Sequence, residues 1–239
     1  MRSGAAPILI TGLGKRLGLA LAQHFISQGI PVIGSYRSEY PVLAELRQSG
    51  TELYQCDFYD QASVNQFIAC ISAKYVRLRA IIHNASDWIP EGAGMEPADT
   101  MLKMMQVHVS VPYQINLALK NLLQSSFEGA ADIIHFTDFV VDKGSKKHIA
   151  YAASKAALAN MTLSFAAALA PDIKVNTIAP ALVLFNENDN ADYKAKAVKK
   201  ALIEKEGGIQ EVIATVDYLL ASAYITGRTL YLDGGRHLK

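Results

Sequence analysis

Thr11-Gly12-Leu13-Gly14-Lys15-Arg16-Leu17-Gly18 is the stretch on which the reading of this chain turns. It follows a short apolar run at 7–11 and opens a segment, 17–28, whose apolar residues recur three and four positions apart. That pattern predicts a strand, a glycine-rich turn and a helix in succession. Glycine permits the tight turn and lets backbone N–H groups approach a pyrophosphate at the helix N-terminus, where the dipole favours negative charge. The spacing is not a strict G-x-G-x-x-G, and a turn of this kind also occurs for purely structural reasons. Lys15 and Arg16 weigh against that, because two cations crowded at the positive end of a helix call for an anionic ligand.

Outward from the turn, strand-like runs recur at 31–36, 52–56, 78–83, 131–137, 173–178 and 229–232. They are short, continuous and rich in Ile, Val and Leu, as strands buried on both faces are. Helical periodicity fills 64–74, 98–123, 151–170 and 211–222. Regular alternation of the two predicts a single α/β domain over 1–239, a Rossmann-type doubly wound parallel sheet with helices on both faces. Only 181–208 departs from it, running acidic at Asn186-Glu187-Asn188-Asp189-Asn190 and then lysine-rich at Lys194, Lys196, Lys199 and Lys200. The lysines read as a solvated helix face, and the position of the whole segment suits a substrate loop over the strand ends.

Composition narrows the class of partner. With 23 basic against 22 acidic residues the formal charge is +1, which does not suit binding to nucleic-acid phosphates or an anionic membrane. A small-molecule ligand is expected instead. Apolar residues make up 51% of the chain, yet no run approaches the roughly 20 needed to span a bilayer. The apolar stretch at 5–10 is too short for a secretory signal, and Cys56 and Cys70 form no C-x-x-C pair, so a cytoplasmic protein with reduced thiols is expected. His24, His83, His135, His148 and His237 lack metal-ligand spacing, and no metal is expected.

The second strand-like run ends at Tyr36-Arg37-Ser38 and carries no acid before Glu39. A site for NAD normally places a carboxylate there for the ribose hydroxyls, whereas a 2′-phosphate repels it and prefers arginine with a hydroxyl. Arg37, Ser38 and Lys15 therefore point to NADPH, although a lone arginine in a loop is also an ordinary solvated charge. Tyr151-Ala152-Ala153-Ser154-Lys155 sets a phenol and an ammonium four apart on one helical face, after a strand that ends in Thr137-Asp138. An adjacent ammonium favours the phenolate, so Lys155 is expected to lower the Tyr151 pKa toward the range useful to a proton donor.

Taken in order, the octapeptide, Asp57-Phe58, His83-Asn84-Ala85-Ser86, Tyr151 with Lys155, Val175-Asn176-Thr177-Ile178-Ala179-Pro180, Ile225-Thr226-Gly227 and Asp233-Gly234-Gly235 resemble the landmarks of the short-chain dehydrogenase/reductase family. Arg16 where a glycine is usual, Ser86 in place of the glycine of N-A-G, and Asp138 in place of the substrate-binding serine are similar to its pteridine reductase branch. The resemblance implies an NADPH-dependent reductase of the C=N bond of a dihydropterin, with dihydrofolate a secondary substrate, working as a homo-tetramer. It implies a cofactor site of Gly12, Gly14, Lys15, Arg16, Leu17, Gly18, Arg37, Ser38, Asp57, Phe58, Asn84, Ala85, Tyr151, Lys155, Pro180 and Val183. Substrate would meet Arg16, Ser86, Trp88, Asp138 and Tyr151, with Tyr151, Lys155 and Asp138 catalytic.

Two of these residues have plainer readings: Trp88 as core packing and Asp138 as a strand-end cap. One family residue is replaced, since a helix asparagine that holds a proton-relay water is His108 here. The competing functions are a reductase of an oxoacyl, sugar or quinone carbonyl, and a catalytically silent NADP-binding regulator. Against the first, a carboxylate at position 138 suits a developing oxyanion poorly.

Overall fold

The structure is a computed structural model that describes residues 5–124 and 130–239. Seven strands, β1 (Ile8–Thr11), β2 (Val32–Tyr36), β3 (Glu52–Gln55), β4 (Ala80–His83), β5 (Ala131–Phe136), β6 (Ile173–Pro180) and β7 (Thr229–Leu232), form one sheet in the order β3-β2-β1-β4-β5-β6-β7. Every neighbouring pair is parallel. All seven lie where the apolar runs predict them; the five inner strands are buried on both faces, whereas the edge strands β3 and β7 are only partly buried.

Alternation along the strands assigns side chains to two cores. Leu9, Ile33, Ile81, Ile133 and Val175 face α3 (Gln61–Lys74), α4 (Pro97–Met105), α5 (Val111–Gln124) and α7 (Ile149–Leu169). Ile8, Ile10, Val32, Ile82, Ile134 and Ile178 face α1 (Arg16–Ser27), α2 (Val42–Gln48) and α9 (Ile209–Ala221). Helices on both faces and a sheet order that reverses between β1 and β4 make the fold doubly wound. Ligands of such sheets bind beyond the strand C-termini at that reversal, where neighbouring crossovers leave in opposite directions. At the other end, Arg79 and Lys174 pair with buried Asp132 at 2.6 and 2.7 Å and donate to the last carbonyls of α9, Leu220 and Leu219.

Three short helices escape the periodicity: α2, α6 (Val140–Lys143) and α8 (Ala191–Val198). The last lies inside 181–208 and starts where the Asn190 side chain accepts from the Tyr193 N–H at 2.8 Å. Its Lys196 and the following Lys199 and Lys200 are exposed, as a solvated face requires. The expected single helix over 98–123 is broken into α4, a π-helical turn at Gln106–Ser110 and α5. Pro112 supplies the reason. It has no N–H for the carbonyl of His108 four residues back, and its ring crowds that carbonyl, so the backbone widens there.

Candidate active site

At the reversal the β1 turn packs against the end of β4. Gly12 has a φ of +69°, and a Cβ on it would fall 2.7 Å from the Ala85 Cα. The Asn84 amide donates to the carbonyls of Thr11 and Gly12 at 3.2 and 3.0 Å, and Thr11 Oγ1 accepts from the N–H groups of Asn84 and Ala85. These contacts hold open a cleft of about 330 Å³. Gly12, Gly14, Lys15, Arg16, Leu17, Arg37, Ser38, Phe58, Asn84, Ala85 and Ser86 all line it. A side chain on Gly14 would strike the Tyr40 ring at 2.9 Å. Glycine at both positions permits the close packing that shapes the cleft, and without side chains the turn leaves its backbone open to a pyrophosphate.

Arg16 adopts a φ of +51°, a conformation that costs a non-glycine residue roughly 1–2 kcal/mol and accounts for the glycine usual at this position. Its guanidinium donates to the Leu184 carbonyl at 3.0 Å and to the Asn186 side chain, so it ties the glycine turn to the 181–208 segment. Arg37 pairs with Asp87 at 2.9 Å and lies over the Tyr59 ring, whose hydroxyl donates to the same carboxylate at 3.0 Å. Sequence reasoning missed Asp87 and Tyr59. Each is remote from Arg37 in the chain, so only folding reveals the bridge.

The second half of the site stands at the ends of β5 and α7. Asp138 accepts from the Val140 N–H at 2.9 Å through one oxygen and from the Tyr151 hydroxyl at 2.9 Å through the other. It is thus both the strand-end cap and the partner of the phenol. Lys155 is buried and donates to the Phe136 carbonyl at 2.8 Å, with its ammonium 5.6 Å from the centre of the Tyr151 ring. Burial lowers its pKa to about 8. Tyr151 does not follow the expectation that Lys155 depresses it: burial, and then the Asp138 charge, push the phenol above its ordinary value. Burial also raises Asp138, against the opposing pull of the Val140 N–H, the phenol, Lys155 and Arg236. Proton-donating capacity therefore shifts toward the carboxyl, which becomes easier to protonate as the phenol becomes harder to ionise.

Buried His108, in the π-helical turn, joins the two halves. Its Nε2 is 2.8 Å from Ser86 Oγ in the cleft, its Nδ1 is 2.8 Å from Ser154 Oγ on α7, and its ring meets Tyr151 edge-on at 5.4 Å. Trp88 is 60% exposed, which removes the core-packing reading, and its ring stacks on His148 at 4.2 Å. The segment carrying it is fixed to α7, because Glu91 accepts from the Ala150 N–H at 3.0 Å and so caps that helix. Six expected cofactor residues do not line the cleft: Tyr151 and Lys155, in the second half of the site, and Gly18, Asp57, Pro180 and Val183. A Cβ on Gly18 would fall 2.4 Å from the Gly12 carbonyl, so this glycine serves the packing of helix on turn. Asp57 accepts from the Tyr59 N–H at 3.0 Å and shapes that turn, Pro180 ends β6 against Leu232, and the Val183 carbonyl accepts from the Gly208 N–H at 3.0 Å at the base of the loop.

A fold of this order, with a glycine cradle at the reversal and a tyrosine and lysine one helical turn apart beside it, defines a nucleotide-dependent oxidoreductase. The family model described as enoyl-(acyl carrier protein) reductase matches residues 12–237, and the chain belongs to the short-chain dehydrogenase/reductase family. Within it, the chain is similar to proteins named dihydromonapterin reductase. The one from Citrobacter koseri is 54% identical over 233 residues, covering 98% of this chain and 97% of its own, and that of Escherichia coli O6:H1 is 53% identical over 238, covering 100% and 99%. Among solved structures, FolM alternative dihydrofolate reductase 1 from Brucella canis, complexed with NADP, matches with a TM-score of 0.86 at 27% identity, over 98% of this chain and 94% of its own.

Proposed function

We propose that this chain is an NADPH-dependent dihydropterin reductase that converts 7,8-dihydromonapterin to tetrahydromonapterin, with dihydrofolate a secondary substrate. The observation that carries the reading is the 2.9 Å hydrogen bond from Tyr151 to Asp138. A carbonyl reductase stabilises negative charge growing on oxygen, which an adjacent carboxylate opposes. Reduction of a C=N bond needs a proton on nitrogen instead, and a buried carboxyl that takes up protons readily suits that need.

The cleft fits the cofactor: Gly12 and Gly14 line it with bare backbone, and Lys15, Arg37 and Ser38 offer partners for phosphate. NADPH held there supplies the hydride. Asp138 and Tyr151 deliver the proton to the ring nitrogen as the neighbouring carbon is reduced. Lys155, held by the Phe136 carbonyl, keeps positive charge beside Tyr151 and would bind the nicotinamide ribose. Trp88, backed by His148, offers a flat wall for the pterin ring, and Ser86 and Arg16 meet its polar edge. The protein acts in the cytoplasm as a homo-tetramer. Exposed Tyr113 and Leu117 on α5 and Ile149 and Leu163 on α7 support a partner on that side.

Following NADPH oxidation against 7,8-dihydromonapterin, dihydrofolate and a panel of ketones tests the assignment. The dihydropterin should give the highest kcat/KM. Ketone turnover without dihydropterin turnover would overturn it in favour of a carbonyl reductase, and NADPH binding without any turnover in favour of a silent regulator.

A further inference from the structure

Two of the departures from the family pattern, Ser86 and His108, touch one another. Their contact at 2.8 Å belongs to a hydrogen-bond chain whose proton positions follow from its ends. Ser154 Oγ lies 2.7 Å from the Tyr151 carbonyl, which only accepts, so the single Ser154 proton is spent there. The 2.8 Å contact between Ser154 Oγ and His108 Nδ1 must then use a proton on Nδ1. At the other nitrogen the Asp87 backbone N–H points at Nε2 from 3.4 Å, and a backbone N–H can only donate. Nε2 is therefore the acceptor of a neutral ring. Burial, and then the charge of Lys155, hold the imidazole far below its ordinary pKa, in agreement with that state.

What remains is the Ser86 proton. Its nearest acceptor is His108 Nε2 at 2.8 Å, and the alternative, the Asp87 carbonyl at 3.4 Å, also belongs to the protein. We propose that His108 is a positioning residue that fixes Ser86 as a hydrogen-bond acceptor toward the cleft, so that the site selects substrates presenting an N–H group. The inference rests on the dihydropterin reading. A dihydropterin carries N–H donors along its edge, whereas a simple ketone carries none and would leave the Ser86 lone pairs without a partner. A site built around such a bond discriminates strongly against a ligand that cannot make it. An asparagine at 108 has the length to mimic Nδ1 and keep the Ser154 contact, but it does not reach Ser86. The histidine and the serine consequently work only as a pair.

A double-mutant cycle with a spectroscopic arm tests this. His108→Asn should raise KM for 7,8-dihydromonapterin by roughly tenfold, the equivalent of about 1.4 kcal/mol, with kcat and the NADPH Kd changing less than twofold. His108→Gln, whose amide oxygen reaches the Nε2 position and is oriented by the Asp87 N–H, should restore KM to within threefold of wild type. Ser86→Ala should match His108→Asn, and the double variant should be no worse than either single one. Multiplying effects, an unchanged KM in His108→Asn, or an equal fall in kcat would overturn the proposal. In wild-type enzyme labelled with 15N-histidine, long-range 1H–15N correlation should show the His108 proton on Nδ1. A proton on Nε2 would overturn it independently of any variant. This last measurement needs no turnover, so it separates failure of the pairing from failure of the pterin assignment.

Discussion

Asp138→Asn isolates the proton supply. In the wild type one carboxylate oxygen accepts from the Val140 N–H and the other from the Tyr151 hydroxyl, both at 2.9 Å. Asparagine has one oxygen, and a backbone N–H can be met only by that oxygen, so the amide NH2 must turn to Tyr151. The phenol then accepts where it had donated, and no carboxyl remains to hold the proton. Loss of a positioned acid reduces kcat by roughly 10²- to 10⁴-fold, or about 2.7 to 5.5 kcal/mol. Stability should not suffer, since the Val140 cap survives and burial, the leading influence on Asp138, already disfavours its charge. Steady-state kcat with 7,8-dihydromonapterin, NADPH affinity by fluorescence titration and Tm together provide the assay. Tyr151→Phe should fall in the same range, and the double variant should add little, because the two groups act as a unit. Because the folded-state pKa of Asp138 is raised, its protonated fraction persists above the ordinary carboxylate range. Wild-type kcat should therefore decline as pH rises through that pKa, a limb that Asp138→Asn lacks. A variant with kcat within threefold of wild type, or one whose loss of rate follows a loss of Tm, would refute the assignment of the acid.

The wild-type enzyme should prefer NADPH to NADH by at least about tenfold, and Arg37→Asp should reduce or reverse that preference by placing a second carboxylate beside Asp87; equal use of the two cofactors by wild type would remove Arg37 from phosphate recognition. Trp88→Ala should raise KM for the dihydropterin by the equivalent of roughly 1–3 kcal/mol while leaving NADPH affinity nearly unchanged. An unchanged KM would leave His148 as the ring's only stacking partner. Buried His83, with its pKa pushed down to about 4 by desolvation, stays neutral in the fold while the unfolded chain protonates near pH 6.5. Acidification therefore favours unfolding, and between pH 6.5 and 5 this residue should cost about 2 kcal/mol, seen as a larger fall in urea stability than in His83→Gln. Parallel stability curves for the two proteins would rule that out.

Strand positions, the doubly wound class and most of the cleft were legible in the chain itself. Buried parallel strands write continuous apolar runs, and a phosphate cradle needs glycines at fixed places after a strand. Arg37, Ser38, Asn84, Ala85 and Ser86 could be found by counting from such runs, because each follows directly on a strand end, and Arg16 because it closes the glycine turn after β1. Tyr151 and Lys155 are set by the helical period, and Asp138 by the end of β5. Tertiary structure decided what sequence neighbours do not encode. Arg37 meets Asp87 across 50 positions, and His108 reaches Ser86 and Ser154 across 22 and 46. The widened turn at His108 arises from Pro112, a local cause hidden by an apolar pattern that runs on through it. The direction of the Tyr151 pKa shift was decided there too. Spacing brings Lys155 to the phenol, but desolvation and the Asp138 charge, which depend on how the whole chain packs around them, set the direction of the shift.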